Sequence, residues 1–402
     1  MTTSTGDISN KVLCNNGKRN KIGIVSSDVE LYNVFAEALT RMGFTPASLN
    51  LEKIVNGTPQ NFYLVDLLGL DNYSRVIQSI KLIREKVPDS EIILLQTPFT
   101  LSRPQAQPLK VAVERYLVPV YQRPLKEDAH AEVLDYKQGL QQFVDTTLGE
   151  HIRRFLSQPH VIKVGGSIFD LFDRNPEVLM SLLEEVKKLY NEGYPIILTT
   201  GGGPRQITER ELSEALGTSP ASRKVLESQV STIIQLLGNV GSYVPPSKVR
   251  DYLVSGDFVG KYIPVVSLSG ITQIPAAESD THTLALGDRL KSHKIVFAKD
   301  TDGVYARDPY KQPRRRRFSM PWTVVEDNPF YPAIHASQIL NGEINRVGAD
   351  GKSEHLIETG ALIYLKGKTQ HVRAVQIING TKPDLLRRAL DGIFVGSYIL
   401  RG

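Results

Sequence analysis

Twice along this chain, short apolar runs alternate with helix-length amphipathic ones, a pattern that fits parallel sheets covered by helices and few other folds. The first series starts at Lys21. KIGIVSS reads as a strand and DVELYNVFAEALTRMG as a helix capped by Asp28 and stopped by Gly43. FYLVDLLG is a second strand, RVIQSIKLIREKVP a helix, and EIILLQT and RYLVPVYQRP continue the alternation. The expectation is a five-stranded, doubly wound, flavodoxin-like α/β domain over residues 21–127, its last element ending near Leu125. Residues 128–157 contain only Gly139 and Gly149 as breakers. They carry Val133, Tyr136, Leu140, Phe143, Leu148, Ile152 and Phe155 at the spacing of one helix face, which predicts a connecting helix over 128–158. After Pro159 the second series begins, and residues 159–402 read as one larger three-layer αβα domain.

A chain of 402 residues with 41% hydrophobic and 23% charged side chains can bury two such cores. The net charge of +5 owes much to one run, Arg314 to Arg317, read as a solvated loop, and is too small to imply a nucleic-acid partner. The single cysteine, Cys14, excludes an internal disulfide and fits a reducing compartment; no Cys/His spacing suggests zinc, and no residues are assigned as a protein metal site. No apolar run reaches the roughly 18 residues that span a bilayer. The polar residues 1–20 read as a disordered tail and the protein as cytoplasmic, with no membrane partner.

Three strand ends in the second series carry the chemistry. In VIKVGGSIFD, residues 161–170, a short apolar strand with an outward lysine, Lys163, runs into Gly165, Gly166 and Ser167. In PIILTTGGGPR, residues 195–205, a buried strand delivers Gly201, Gly202 and Gly203 to its carboxyl end, with Pro204 suited to a first helical position. Between them a helix is punctuated by Asn175, Pro176 and Gly193 and striped with Val178, Leu179, Leu182, Leu183, Val186 and Leu189. The third is SDTHTLALGDRLKSHKIVFAKDTDGVYARDPYK, residues 279–311. Here Asp280 precedes a short amphipathic helix, and the strand KIVFA presents Lys299, Asp300 and Asp302 before Gly303. Ligands of open α/β sheets bind outside the carboxyl ends of strands, where glycines expose N–H groups to phosphate oxygens. A lysine there can neutralise a transferring phosphoryl group, while carboxylates hold the lysines or meet Mg²⁺ through water.

The familiar nucleotide motifs are absent. No G-x-x-x-x-G-K-[ST] occurs; the GKT at 367–369 has its nearest upstream glycine, Gly360, too far away and reads as part of a hairpin. No G-x-G-x-x-G opens a dinucleotide unit.

K-x-G-G-S at 163–167, G-G-G at 201–203, the Asp280 segment, K-D-T-D-G-V-Y-A-R-D-P at 299–309 and VQIINGTKPDLLRRALDGIFVGSYI at 375–399 resemble, in order, the amino-acid kinase superfamily. Within it the chain looks closest to the uridylate-kinase branch and to the molybdenum storage proteins. The storage proteins share HVR-x-VQ, here His371 to Gln376, and an Ile-Pro before the aspartate, here Ile274-Pro275. The resemblance implies an open eight-stranded sheet between helices, ATP with Mg²⁺, a small-molecule ligand and a homo-oligomer, hexameric in the nearest branch. By matching position, Lys163 and Lys299 contact ATP phosphates, Asp280 organises the lysines, and Gly165, Gly166, Gly202 and Gly203 line the phosphate track. Tyr305, Asp308 and Pro309 border the nucleotide. The segment at 217–241 departs from the pattern, lacking the arginine and Gly-Asp that a uridylate kinase places at its acceptor.

The first domain resembles a response-regulator receiver. Asp66 falls where the phosphoacceptor stands, Thr97 at the switch hydroxyl and Arg123-Pro124 where Lys-Pro is usual. Ser26-Ser27 replaces the metal-binding carboxylate pair, which implies a degenerate receiver used for assembly or regulation; a plain flavodoxin-like domain with Asp66 capping a loop is the other reading. His282 and His293 flank a helix expected to be half buried and read as core histidines. Three functions follow. The first is an ATP-dependent phosphotransferase acting on a small acidic acceptor, the second an oligomeric store that binds ATP and collects molybdate or tungstate, the third a non-catalytic nucleotide sensor.

Overall fold

The computed structural model describes residues 21–26, 29–42, 44–50, 53–54, 60, 62–66, 73–88, 90–96, 106–115, 118–122, 133–156, 158–201, 222–248, 262–268, 279–292, 294–306, 329–343 and 356–401. The chain divides into two compact units, Met1–Gln158 with Leu390–Phe394, and Pro159–Ala389 with Val395–Gly402.

The first unit holds β1 (Lys21–Val25), α1 (Val29–Arg41), β2 (Thr45–Ser48), β3 (Phe62–Asp66), α2 (Tyr73–Lys86), β4 (Glu91–Gln96), α3 (Gln107–Arg115) and β5 (Val120–Gln122). The strands form one parallel sheet in the order β2-β1-β3-β4-β5. Four of them come from the apolar runs in the sequence. The fifth, β2, is TPAS; it has no apolar run to announce it, and its Pro46 is tolerated because the strand lies at an edge. Alternation within β3 and β4 serves both faces, as a parallel sheet covered on each side requires. Leu64, Ile93 and Leu95 pack with Phe35 and Leu39 of α1, and Val65, Ile92 and Leu94 with Ile80 and Ile83 of α2.

The predicted helix after this sheet is α4 (Val133–Phe143) and α5 (Gly149–Leu156), joined by a π-helical turn, Val144–Leu148. The spacing of its apolar residues explains the turn. Leu140, Val144, Leu148 and Ile152 recur every fourth residue and are all buried in the α1 core. At 3.6 residues per turn a four-residue step overshoots by about 40°, so three steps would carry the stripe about 120° around an unbroken α-helix. One wide turn takes up that drift. α5 is also tied to the sheet by polar contacts: His151 Nε2 meets Glu91 Oε1 at 3.0 Å, and Tyr121 Oη meets His151 Nδ1 at 2.7 Å.

The second unit runs β6 (His160–Val164), α6 (Gly166–Phe172), α7 (Glu177–Asn191), β7 (Ile196–Thr200), α8 (Ser222–Leu237), β8 (Gly241–Tyr243), β9 (Ile263–Val266), α9 (Ser279–Arg289), β10 (Lys294–Lys299), β11 (Val304–Tyr305), β12 (Phe330–Tyr331), β13 (Ala333–His335), α10 (Ala336–Leu340), α11 (Thr359–Gly367), β14 (Ala374–Asn379), α12 (Asp384–Leu390) and β15 (Ser397–Leu400). Eight strands make one sheet in the order β13-β15-β14-β10-β6-β7-β9-β8, parallel except where β14 meets β15; β11 and β12 form a separate antiparallel ribbon. The punctuation around α7 is as expected: Asn175 Oδ1 accepts the Glu177 N–H at 3.2 Å, and Gly193 has a φ of 87°. Two expectations are corrected. Asp280 lies inside the first turn of α9 instead of before it, and the GKT at 367–369 closes helix α11 instead of a hairpin.

Polar anchors fix the outer elements. The Asp288 carboxylate, at the end of α9, accepts the N–H groups of Gln370, His371 and Val372 at 2.6–3.0 Å, setting the entry to β14. Arg387 of α12 reaches back to α7, bidentate on Glu192 and 2.6 Å from Glu185, and those carboxylates hold its guanidinium charged.

Candidate functional site: a lysine pair at a row of strand ends

The chain lays β7 on one side of β6 and, after β9 and α9, returns to lay β10 on the other, so the winding reverses at β6. That is the position at which doubly wound sheets open a crevice beyond their carboxyl ends. The ladder continues one residue past each strand there. Gly380 N–H donates to Lys299 O at 2.6 Å, Gly165 N–H to Ala298 O at 2.8 Å, and Gly201 N–H to Val164 O at 3.0 Å. Three glycines thus stand in a row across β14, β10, β6 and β7.

Side chains would not fit at two of them. A Cβ on Gly201 would lie 2.6 Å from Lys163 Cε, and one on Gly165 would lie 2.8 Å from the Ala298 carbonyl oxygen. The absence of a side chain at 201 is what gives Lys163 its channel. Gly166 and Ser167 open α6 directly after Gly165, in the first turn, where backbone N–H groups lack helical partners.

Lys163 is not outward, as its alternation on the strand suggested, but 3% exposed, because helices cover both faces of the sheet. Its burial is offset by partners: Nζ donates to Asp280 Oδ1 and, at 2.7 Å, to Ser279 Oγ, and lies 5.5 Å from the Phe297 ring centre. Lys299, from the end of the neighbouring strand, donates to the other oxygen of Asp280 at 3.4 Å and to the Leu356 carbonyl. One carboxylate therefore bridges two ammonium groups. Burial pushes the Asp280 carboxyl up, but the charges of Lys163 and Lys299 and the hydrogen bonds to it prevail, lowering it to about 2. Each ammonium has three N–H groups and two acceptors among the described residues.

Glu358, which the sequence reading did not single out, completes the set. Its Oε2 accepts the N–H groups of Asp280 at 2.8 Å and Thr281 at 3.4 Å, its Oε1 accepts the Ser279 hydroxyl at 3.3 Å, and its own N–H donates to Asp280 Oδ2 at 3.2 Å.

Farther along the row, Asp302 Oδ1 accepts Lys382 Nζ at 2.7 Å and Asn379 Nδ2 at 3.0 Å; the bond from Lys382 leads in lowering its carboxyl below the usual range. Lys382 is a second residue missed in the sequence. Gly303 carries a φ of 147°, and its successors Val304 and Tyr305 form β11, with Tyr305 set edge-on to Phe330 at 5.2 Å. The structure thus brings Lys163, Lys299 and Asp280 into contact, sets Gly165 and Gly201 against the lysines with Gly166 and Ser167 following in the first turn of α6, and places Asp302, Gly303 and Tyr305 in a neighbouring cluster. Gly202, Gly203, Asp308, Pro309 and the arginine run lie outside the described residues, as do Ser27, Thr97, Arg123, Pro124, His293 and His355. His282 is half-buried on α9.

The amino acid kinase family profile matches residues 158–244, the stretch that contains β6, β7 and two of the glycine positions in the row. Over those residues the chain is similar to the amino acid kinase family. Relatives extend the similarity beyond the profile. The molybdenum storage protein subunit beta of Azotobacter vinelandii is 26% identical over 262 residues, 61% of this chain and 87% of that protein. The uridylate kinase of Methanothermobacter thermautotrophicus is 26% identical over 250 residues, 58% of this chain and 95% of that one. Among solved structures, the UMP kinase from Bacillus anthracis overlaps with a TM-score of 0.46 at 16% identity, covering 61% of this chain and 96% of that chain.

Proposed function

We propose that the amino acid kinase domain binds ATP with Mg²⁺ and transfers its terminal phosphoryl group to a small acidic acceptor. The observation that carries this reading is the Lys163–Asp280–Lys299 clamp at the switch point of the sheet. The residues fit a polyphosphate: glycines remove side chains where a phosphate must approach closely, and two ammonium groups supply positive charge. The bound nucleotide would supply the phosphoryl group and its metal the charge neutralisation that phosphoryl transfer needs. Asp280 is fully engaged with two lysines and the Glu358 N–H, so it holds the lysines and is not a first choice as metal ligand. No group of three or more His, Cys, Asp or Glu residues suited to a metal occurs among the described residues, so the reading has the metal arrive on the phosphates. Lys163 and Lys299 hold the transferring group and stabilise its developing negative charge, while Ser279 and Asp280 keep the two ammonium groups from collapsing onto other acceptors.

A second reading is favoured by the breadth of the match to the molybdenum storage protein subunit and by the departure at 217–241 from the uridylate-kinase acceptor pattern. In it the domain binds ATP within a homo-oligomer that accumulates molybdate or tungstate. The first unit fits a receiver-like regulatory or assembly module: its strand order is that of flavodoxin-like folds, and Asp66 ends β3 with the Ser26 hydroxyl donating to its Oδ2 at 2.9 Å. No helix among the described residues is long and apolar enough to cross a membrane.

Calorimetry of the full chain with ATP in magnesium buffer tests both readings, each of which expects saturable binding; no association overturns them together. Phosphorylation of UMP supports transfer. Molybdenum well above trace in protein from molybdate-rich medium, with no phosphorylated product, supports storage.

A further inference from the structure

We propose that Glu358 is a positioning residue for the lysine clamp, acting through Asp280 and Ser279, and that it is required for full ATP affinity; the affinity part rests on the reading given above. The inference comes from where its bonds go. Glu358 stands at the N-terminus of α11, yet its carboxylate caps α9, accepting the N–H groups of Asp280 and Thr281, the second and third residues of that helix. Helix α9 carries Asp280 in its first turn, so the cap fixes the turn that aims the Asp280 carboxylate. The backbone N–H of Glu358 then binds Asp280 Oδ2, the same oxygen that receives Lys299.

The second route is Ser279. Its hydroxyl donates to Glu358 Oε1, and that choice of acceptor leaves the lone pairs of Oγ to receive Lys163 Nζ at 2.7 Å. Glu358 thereby sets the polarity of the one neutral group that shares Lys163 with Asp280. Two residues earlier on the same strap, the Leu356 carbonyl holds Lys299. A three-residue segment touches every member of the clamp directly or through one bond.

The charges are consistent with this role. Two carboxylates, Asp280 and Glu358, face two ammonium groups, and the positive end of α9 is occupied by Glu358. An incoming polyphosphate is thus denied the terminus of α9 and directed to Lys163 and Lys299. Partners one shell removed from a binding group commonly contribute tenfold or more to its function by orienting it.

The test uses the full chain and E358A, E358D and E358Q, with melting curves recorded on each. The first readout needs no nucleotide. Competitive acylation followed by mass spectrometry gives the labelling rates of Lys163 and Lys299 relative to exposed Lys188. E358A and E358D, which remove or shorten the carboxylate arm, are expected to label both lysines about tenfold faster than wild type. E358Q keeps an amide oxygen for the α9 cap and is expected within about threefold of wild type. The second readout is ATP affinity in magnesium buffer, expected to fall about tenfold in E358A and E358D and to be rescued in E358Q. A purely structural cap would lower the melting temperature of the variants without changing either ratio in the folded protein, and that result overturns the proposal. So does equal behaviour of E358Q and E358A. If E358A does not fold, the ratio of E358D to E358Q decides. Wild-type protein that binds no ATP would sink the functional reading, while the labelling ratios would still judge Glu358.

Discussion

Both units keep a buried aspartate near the carboxyl end of a parallel sheet, but they give it different company. In the first, Asp66 ends β3 and receives a hydrogen bond from the neutral hydroxyl of Ser26. In the second, Asp280 projects from a helix and receives two ammonium groups from adjacent strands, 3% and 16% exposed. Doubly wound topology supplies the crevice in each case; the residues at the strand ends decide what charge it can accept. Two lysines around one aspartate, with glycines on either side, make the second a place suited to anions.

The largest effect that would break this contrast is at Lys163. Lys163→Met, which keeps an unbranched side chain as far as Cε and removes the ammonium group, is expected to weaken ATP binding about 100-fold, the effect of removing one partner of a buried charged contact. It is also expected to cost about 3 kcal/mol of stability, since Asp280 loses a partner inside the protein. Titration calorimetry and urea unfolding measure the two; ATP binding at the wild-type level would remove the clamp from the anion site.

Next in size is the response to acid. The folded carboxyl of Asp280 lies near 2, below its ordinary value of 3.8, so its stabilising contribution is complete above about pH 4 and disappears as pH falls towards 2. The amount is roughly 2 kcal/mol. Urea midpoints between pH 5 and 2.5, compared with those of Asp280→Asn, should show wild type losing most of this increment over that window and the variant lacking it; parallel curves would contradict the assignment.

Gly201→Ala probes the same clamp from the side. Its new methyl group would meet Lys163 Cε, so a loss of about 1–3 kcal/mol is expected, with weaker ATP binding, as the lysine is pushed from its channel. An alanine that is tolerated with full affinity would show the channel to be wider than the glycine implies. The smallest effect belongs to the first unit. Ser26→Ala removes a neutral hydrogen bond, and its cost in thermal unfolding should be about 1 kcal/mol. A loss as large as that of Lys163→Met would erase the contrast.

What could be read from the sequence follows the range of the interactions. The strands β6, β7 and β10 and their glycine ends are local patterns, and Lys163, Lys299 and Asp280 could be named because each stands at a punctuated strand or helix end. The depth of Lys163 could not, because alternation tells on which face a side chain lies but not what covers that face. Glu358 was missed because it meets Asp280 from 78 positions away, through the packing of α9 against α11. The one local hint was a glutamate directly before an apolar helix, a place where acidic residues are ordinary. Lys382 was hidden similarly, paired with Asp302 across 80 positions. The edge strand TPAS had no apolar run to reveal it, whereas the wide turn after Phe143 was written in the four-residue recurrence from Leu140 to Ile152.

That wide turn works as a reading-frame marker for the helix that contains it. Straightening it into an ordinary α-helical turn without removing a residue would rotate everything beyond by about 100°. His151 would then swing away from Glu91 and Tyr121, and Ile152 would leave the core it now fills. Loss of one residue from Val144–Leu148 would instead leave a regular helix with both side chains still in place, so the segment absorbs a deletion there more easily than an insertion.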